Sequence, residues 1–303
     1  MQDELNIEEI IPKTNLGILA KQVVEGFITG LHKSPFHGFS VEFAEHRPYH
    51  PSENIRTIDW KLFGRTDKMY VKRYEEETNL RCQLVLDVSS SMYYPEKKWN
   101  KIKFSILSIA SLVELLKSQR DAFGLSLFAD TLKYSSIARS TTVHQKLIYA
   151  ELEKVLAEKP VMQKTSIAKS LHEIAEKIHK RSLVIIFSDM FENIDEREKI
   201  VEALQHLRYN KHEVIVFHIT DHATEIEFNF ENRPYLFVDV ETGAELKLHA
   251  NTVKEEYVKN MKTYLQEIEN RCQHEKIDFI LANAEKGFNE VLNSYLVKRM
   301  KTV

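Results

Sequence analysis

Three separated places in the 303-residue chain put hard oxygen donors directly beside apolar stretches. Asp87-Val88-Ser89-Ser90-Ser91 closes the run 83–88, and Ser188-Asp189 closes the run 183–187. Thr165, with Ser166 next to it, opens the helical stretch that precedes the second run. Any one of these is ordinary, because Asp and Ser favour the turns that follow strands. As a set they offer two carboxylates, Asp87 and Asp189, and three hydroxyls, Ser89, Ser91 and Thr165. A tight turn over Asp-x-Ser-x-Ser can aim all three of its oxygens at one point. Such a donor set suits Mg²⁺ or Mn²⁺, and Mg²⁺ typically keeps some of its waters.

Other chemistries find less support. Asp87 resembles the nucleophile of an Asp-x-Asp phosphatase, but Ser89 stands where the acid/base carboxylate is needed. No GxSxG elbow and no evident Ser-His-Asp set occurs. The two cysteines, Cys82 and Cys272, form no CxxC pair and read as free buried thiols. The 13 histidines contain no HExxH. With only 8 glycines, neither GxxxxGK[ST] nor GxGxxG is present. The expectation is a binding protein, not an enzyme. A metal-dependent hydrolase and a metal-independent scaffold acting through the N-terminal segment are the alternatives.

The donors must be positioned by an α/β framework. Residues 1–30 carry Leu16, Leu19, Val23, Phe27 and Leu31 at helical spacing. Residues 31–60 are broken by Pro35, Gly38, Pro48 and Pro51 into short pieces. From residue 81 short apolar runs alternate with helical ones. Strands are expected over 83–88, 123–128, 132–137, 183–187, 214–219 and 277–281. Helices are expected over 100–120, 144–157, 165–180, 195–209, 251–273 and 288–298. A small hairpin around Thr242-Gly243 joins 235–240 to 246–248. This alternation argues for a mostly parallel central sheet flanked by helices, with ligands at the carboxyl ends of the strands. The division is 1–78, an N-terminal helix and β extension, and 79–303, the α/β domain with an insertion at 222–275. Trp60 is expected to pack inside.

Composition excludes little and favours an ordinary globular chain, 43% hydrophobic and 29% charged. A net charge of −3 gives no reason to expect nucleic acid or an anionic membrane as partner. The start, MQDELNIEEI, is acidic and unlike a signal peptide. The most apolar stretch, 104–116, is interrupted by Ser105, Ser108, Ser111 and Glu114, so no membrane insertion and a cytoplasmic location are expected.

The set Asp87-x-Ser89-x-Ser91, then Thr165, then Asp189, resembles the metal-ion-dependent adhesion site of von Willebrand factor A domains. The resemblance implies direct metal binding by the serines and threonine, aspartates acting through water, and a partner's carboxylate completing the shell. Upstream, Glu42-Phe43-Ala44-Glu45-His46-Arg47-x-Tyr49, Ile58-Asp59-Trp60, Arg65-Thr66 and 70–77 stand in the same order as in the bacterial domain-of-unknown-function family fifty-eight. That likeness runs from about residue 15 to the C-terminus. It implies a von Willebrand A-like core and, as partner, a MoxR-type AAA+ ATPase. The chain departs from the family at Ser52-Glu53, where Gly-Asp is frequent, and at Gln163-Lys164, where glycines precede the threonine. Ser166 is the fallback ligand there.

Overall fold

The computed structural model describes residues 15–32, 46–48, 60–72, 80–96, 99–158, 166–190, 197–239 and 243–302. They divide into two compact units, Met1–Phe27 with Leu80–Val303, and Ile28–Asn79. The first helix, α1 (Leu16–His32), begins in the larger unit. Leu16, Leu19, Ala20, Val24 and Phe27 form its buried stripe. The backbone N–H of Leu16 donates to Glu153 Oε1 at 3.4 Å. The chain thus passes back into the larger unit at Leu80, and α1 starts with that unit.

In the smaller unit β1 (His46–Pro48) pairs antiparallel with β2 (Tyr70–Lys72), Arg47 opposite Val71. Between them in sequence lies α2 (Trp60–Thr66). Trp60 is 55% exposed and meets Phe63 edge-on, with ring centroids 6.0 Å apart. The expectation of a buried Trp60 is thus corrected: its one described ring partner is a neighbour on a helix only two turns long. Glu42 to Glu45, Asp59 and Glu75 to Glu77 lie outside the described residues.

The larger unit is built on six strands: β3 (Arg81–Asp87), β4 (Ala122–Phe128), β5 (Leu132–Ser135), β6 (Leu183–Ser188), β7 (Glu213–Thr220) and, after a separate hairpin of β8 (Pro234–Val238) and β9 (Glu245–His249), β10 (Asp278–Asn283). Their order is β10-β7-β6-β3-β4-β5, parallel throughout except for β5, which runs antiparallel to β4. From β3 the chain builds outward through β4 and β5 on one side, then returns and builds through β6, β7 and β10 on the other. Strand order therefore reverses between β3 and β6, the place where ligands collect in open α/β sheets. β3, β6 and β7 are apolar and buried along nearly their whole length because helices cover both faces.

On one face lie α3 (Lys101–Ser118), α4 (Thr142–Ala157) and, at the end of the chain, α8 (Asn289–Thr302). The other face carries α5 (Ile167–Lys177), α6 (Arg197–Tyr209) and α7 (Ala250–His274). There Leu171, Ile174, Leu204 and Leu207 pack with Val184, Ile186, Val214 and Val216. Helix α3 is buried on almost every side, 14 of its 18 residues, so it is the centre of its layer. Two of its three buried serines are satisfied locally: Ser105 and Ser111 donate to the carbonyls of Lys101 and Leu107, both at 2.8 Å. Cys82 and Cys272 are free and buried, as expected, and burial pushes both thiols up. No helix among the described residues is long and apolar enough to cross a membrane.

Candidate functional site

Asp87 is the last residue of β3 and is fully buried. Its Oδ1 accepts the backbone N–H of Ser89 at 2.9 Å, which bends the chain at the end of the strand. The bend leads into a short 3₁₀ turn, Ser90–Tyr93, and brings Ser89 Oγ and Ser91 Oγ to 3.0 Å of each other. Asp87 Oδ2 accepts the hydroxyl of Ser188 at 2.6 Å. Ser188 ends β6, so this bond spans the reversal point and fixes the two strand ends together. Asp189 follows at once, 1% exposed.

Beyond Asp189 the backbone is strained. Met190 sits at φ 50°, a left-handed conformation that a residue with a Cβ seldom adopts. It is held by its own N–H donating to Ser188 Oγ at 2.9 Å and by the Tyr264 hydroxyl of α7 donating to its carbonyl at 2.7 Å. Strain stored at such a point is a frequent mark of a functional rim.

The electrostatics are unusual. Asp189 Oδ2 accepts Lys101 Nζ at 2.8 Å, and Glu225 Oε1 accepts the same ammonium at 2.6 Å. Lys101 is fully buried. Burial works against its charge, but Asp189 and then Glu225 outweigh that cost and hold it protonated. Glu225 Oε2 accepts the backbone N–H of buried Asp221 at 2.8 Å. Asp189 and Glu225 thus share the Lys101 ammonium, and Asp87 lies close enough to Asp189 to feel its charge. Burial first, and then the charge of Asp189, push the Asp87 carboxyl up to about 7, while hydrogen bonds from Ser188 and Ser89 pull the other way. Burial likewise raises Glu225, against the pull of Lys101.

Two carboxylates, Asp87 and Asp189, beside the Ser89 and Ser91 hydroxyls at the strand-order reversal are oxygen donors of the kind a hard divalent cation takes. No group of three or more His, Cys, Asp or Glu side chains able to hold a metal occurs among the described residues. A cation here would depend on Ser89 and Ser91 as well as on the aspartates. Of the five sequence-derived ligands, Asp87, Ser89, Ser91 and Asp189 come from the adjoining ends of β3 and β6. Thr165 lies outside the described residues. Its neighbour Ser166 stands at the N-cap of α5, half-buried.

The profile described as "Protein of unknown function DUF58" matches residues 45–266, well over half of the chain. The chain belongs to this family. An uncharacterized protein of Mycobacterium tuberculosis is 23% identical over 175 residues, 57% of this chain and 55% of that protein. The match spans about half the length of that relative. Among solved structures, the hypothetical protein BatB of Bacteroides thetaiotaomicron is 14% identical, with 74% of this chain and 100% of that chain covered and a TM-score of 0.45. The SpRpn10 VWA domain is 9% identical over 71% of this chain and 94% of that chain, with a TM-score of 0.41. These are likenesses of fold, and the description of this DUF58 chain as a mostly parallel sheet flanked by helices rests on its own strand order.

Two residues of the rim escaped sequence reasoning, and a third, Ser188, was named there without a role. Lys101 reads as the solvated start of an amphipathic helix, yet the layer around α3 closes over it. Glu225 lies in a stretch without clear periodicity, which forms a single π turn, His222–Ile226. Ser188 is hidden by its neighbour Asp189, since only the strand pairing shows that its hydroxyl faces Asp87. A lysine at the head of a helix rich in buried serine was the one available signal. A cavity of about 570 Å³ lined by Gln83, Tyr134, Lys177, His179 and Ser182 lies by the amino ends of β3 and β6, the opposite end from Asp87.

Proposed function

We propose that this DUF58 chain is a divalent-cation-dependent protein–protein interaction module and not a catalyst. Asp87, Ser89, Ser91 and Asp189, together with Thr165, would hold one Mg²⁺ or Mn²⁺. The bound ion would offer a Lewis-acidic position to a carboxylate from the partner. Ser91, half-buried, is the most exposed of the four described donors, which supports a partner's approach from its side. The observation that carries this reading is the meeting of Asp87 with the Asp189 loop through Ser188, with Asp87 raised to about 7 by burial and the Asp189 charge. Two such carboxylates at one rim are stabilised by an added cation. Ser89 stands where an Asp-x-Asp phosphatase needs its acid/base carboxylate, which favours binding over catalysis. The family resemblance points to a MoxR-type AAA+ ATPase as the partner, in assembly or maturation of a protein complex.

Calorimetric titration with Mg²⁺ and Mn²⁺ is expected to give one site, abolished in Asp87→Ala. Capture of the ATPase on the immobilised chain is expected to fail in Asp87→Ala and Ser89→Ala at constant Mg²⁺, which separates the rim's cation from the nucleotide's. Capture that persists in both variants and in chelator would rule the reading out.

A further inference from the structure

Lys101 is the first residue of α3 and is fully buried, with its ammonium shared between two carboxylates on different parts of the chain. Asp189 belongs to the candidate cation rim. Glu225 belongs to the π turn that opens the segment carrying β8 and β9. Turns of this kind are rare and concentrate at functional positions. Glu225 organises this one. Its Oε2 accepts the Asp221 N–H at 2.8 Å, and its carbonyl accepts the Tyr257 hydroxyl of α7 at 3.0 Å. Seven residues on, Tyr264 of the same helix bonds the Met190 carbonyl behind Asp189. A single ammonium and a single helix thus join the rim to the π turn, and Phe228, stacked on Phe237 of β8, joins the turn to the hairpin.

We infer that Lys101 is a positioning residue, a tethered cation that links occupancy of the rim to the π turn and the β8–β9 hairpin. The inference rests on the cation reading of that rim. In the arrangement seen here Lys101 neutralises Asp189 and Glu225 together. A divalent ion drawing on Asp189 would compete with the ammonium for that carboxylate in a place where water screens little. The ammonium then leans further on Glu225, and the strengthened charge-assisted pair tightens the turn. Because the rim and the turn are coupled through one group, the effect runs both ways: a partner that orders the hairpin strengthens cation binding. The hairpin carries the exposed apolar residues Leu236, Val238 and Leu246, so the linked segment is also one able to contact a partner.

Hydrogen–deuterium exchange on the full chain, with and without millimolar Mg²⁺, tests this beside calorimetry. In wild type the amides of 221–230, and those of the α7 peptide containing residue 257, are expected to slow by about fivefold or more on adding Mg²⁺, the low end of ordinary coupling. In Glu225→Gln, Mg²⁺ is still bound by calorimetry but the slowing disappears. Tyr257→Phe changes no charge and serves if the first variant folds poorly. There the turn still slows while the α7 peptide containing residue 257 no longer does. Binding of Mg²⁺ without slowing in wild type overturns the inference and leaves the cation reading intact. The same holds for slowing that persists in Glu225→Gln or that is undiminished in α7 of Tyr257→Phe. Absence of Mg²⁺ binding in wild type overturns both.

Discussion

Two buried titrating groups lie near the rim and push the stability of the chain in opposite directions with pH. Asp87 is raised to about 7 by burial and by Asp189, so the fold favours its neutral form. The stability it confers is present in full below its ordinary range, near pH 4, and is lost as pH rises through about 7. His218, fully buried on β7, is lowered to about 4 by burial, with Asp189 opposing and Lys101 adding to the shift. Its contribution is present above pH 6.5 and is lost as pH falls toward 4, a difference of about 3 kcal/mol. The slopes oppose each other between about pH 4 and 6.5, so each shows clearly only where the other is removed. Asp87→Asn is expected to melt higher than wild type at pH 8 without divalent cation, by about 1 kcal/mol or more, and to gain nothing from Mg²⁺. His218→Phe is expected to lose its acid sensitivity over pH 4–6.5 and to become less stable as pH rises through it. Thermal unfolding of the three proteins at several pH values decides. Identical pH profiles for wild type and both variants would show that neither group titrates as the surroundings dictate.

At the scale of elements, the central strands and α3 tolerate little change. A Cβ on Gly124 of β4 would collide with the Gln83 amide and the Ser136 carbonyl. Gln83 is itself fixed by donating to Ser126 Oγ at 2.9 Å, so it has little room to yield. Gly124→Ala is therefore expected to destabilise the larger unit by about 1–3 kcal/mol, measured by denaturant unfolding. A wild-type midpoint would mean that Gln83 repacks freely. Most elements were readable from apolar runs and helical spacing, including the hairpin at Gly243, whose φ of 72° suits glycine. The 165–180 helix is shorter than its pattern implied and stops at Lys177. Sequence periodicity also missed how completely α3 is enclosed. Its stripe of Ile102, Ile106, Ile109 and Val113 accounts for one face, whereas α4, α8 and the sheet surround the rest. A pattern records which face is most apolar, not how many neighbours arrive.

At the scale of the whole molecule, residues far apart in sequence complete both the core and the rim. Leu19 of α1 is buried in the larger unit more than sixty residues ahead of its first strand. Leu19→Ala is expected to cost about 2–5 kcal/mol in the unfolding transition of that unit. A change within error would show that α1 adds nothing to its stability. The sequence by itself determined the strand runs, the alternation that makes an α/β sheet, and the oxygen donors Asp87, Ser89, Ser91 and Asp189 at strand ends. These are local properties, set by burial on two faces and by turn chemistry. Only the tertiary structure decided that β3 and β6 lie side by side, so that Ser188 bonds Asp87 across the reversal of strand order. It alone decided that Lys101 is enclosed between Asp189 and Glu225. Both depend on the electrostatics and packing of groups 88 to 124 residues apart, which no periodicity along the chain encodes.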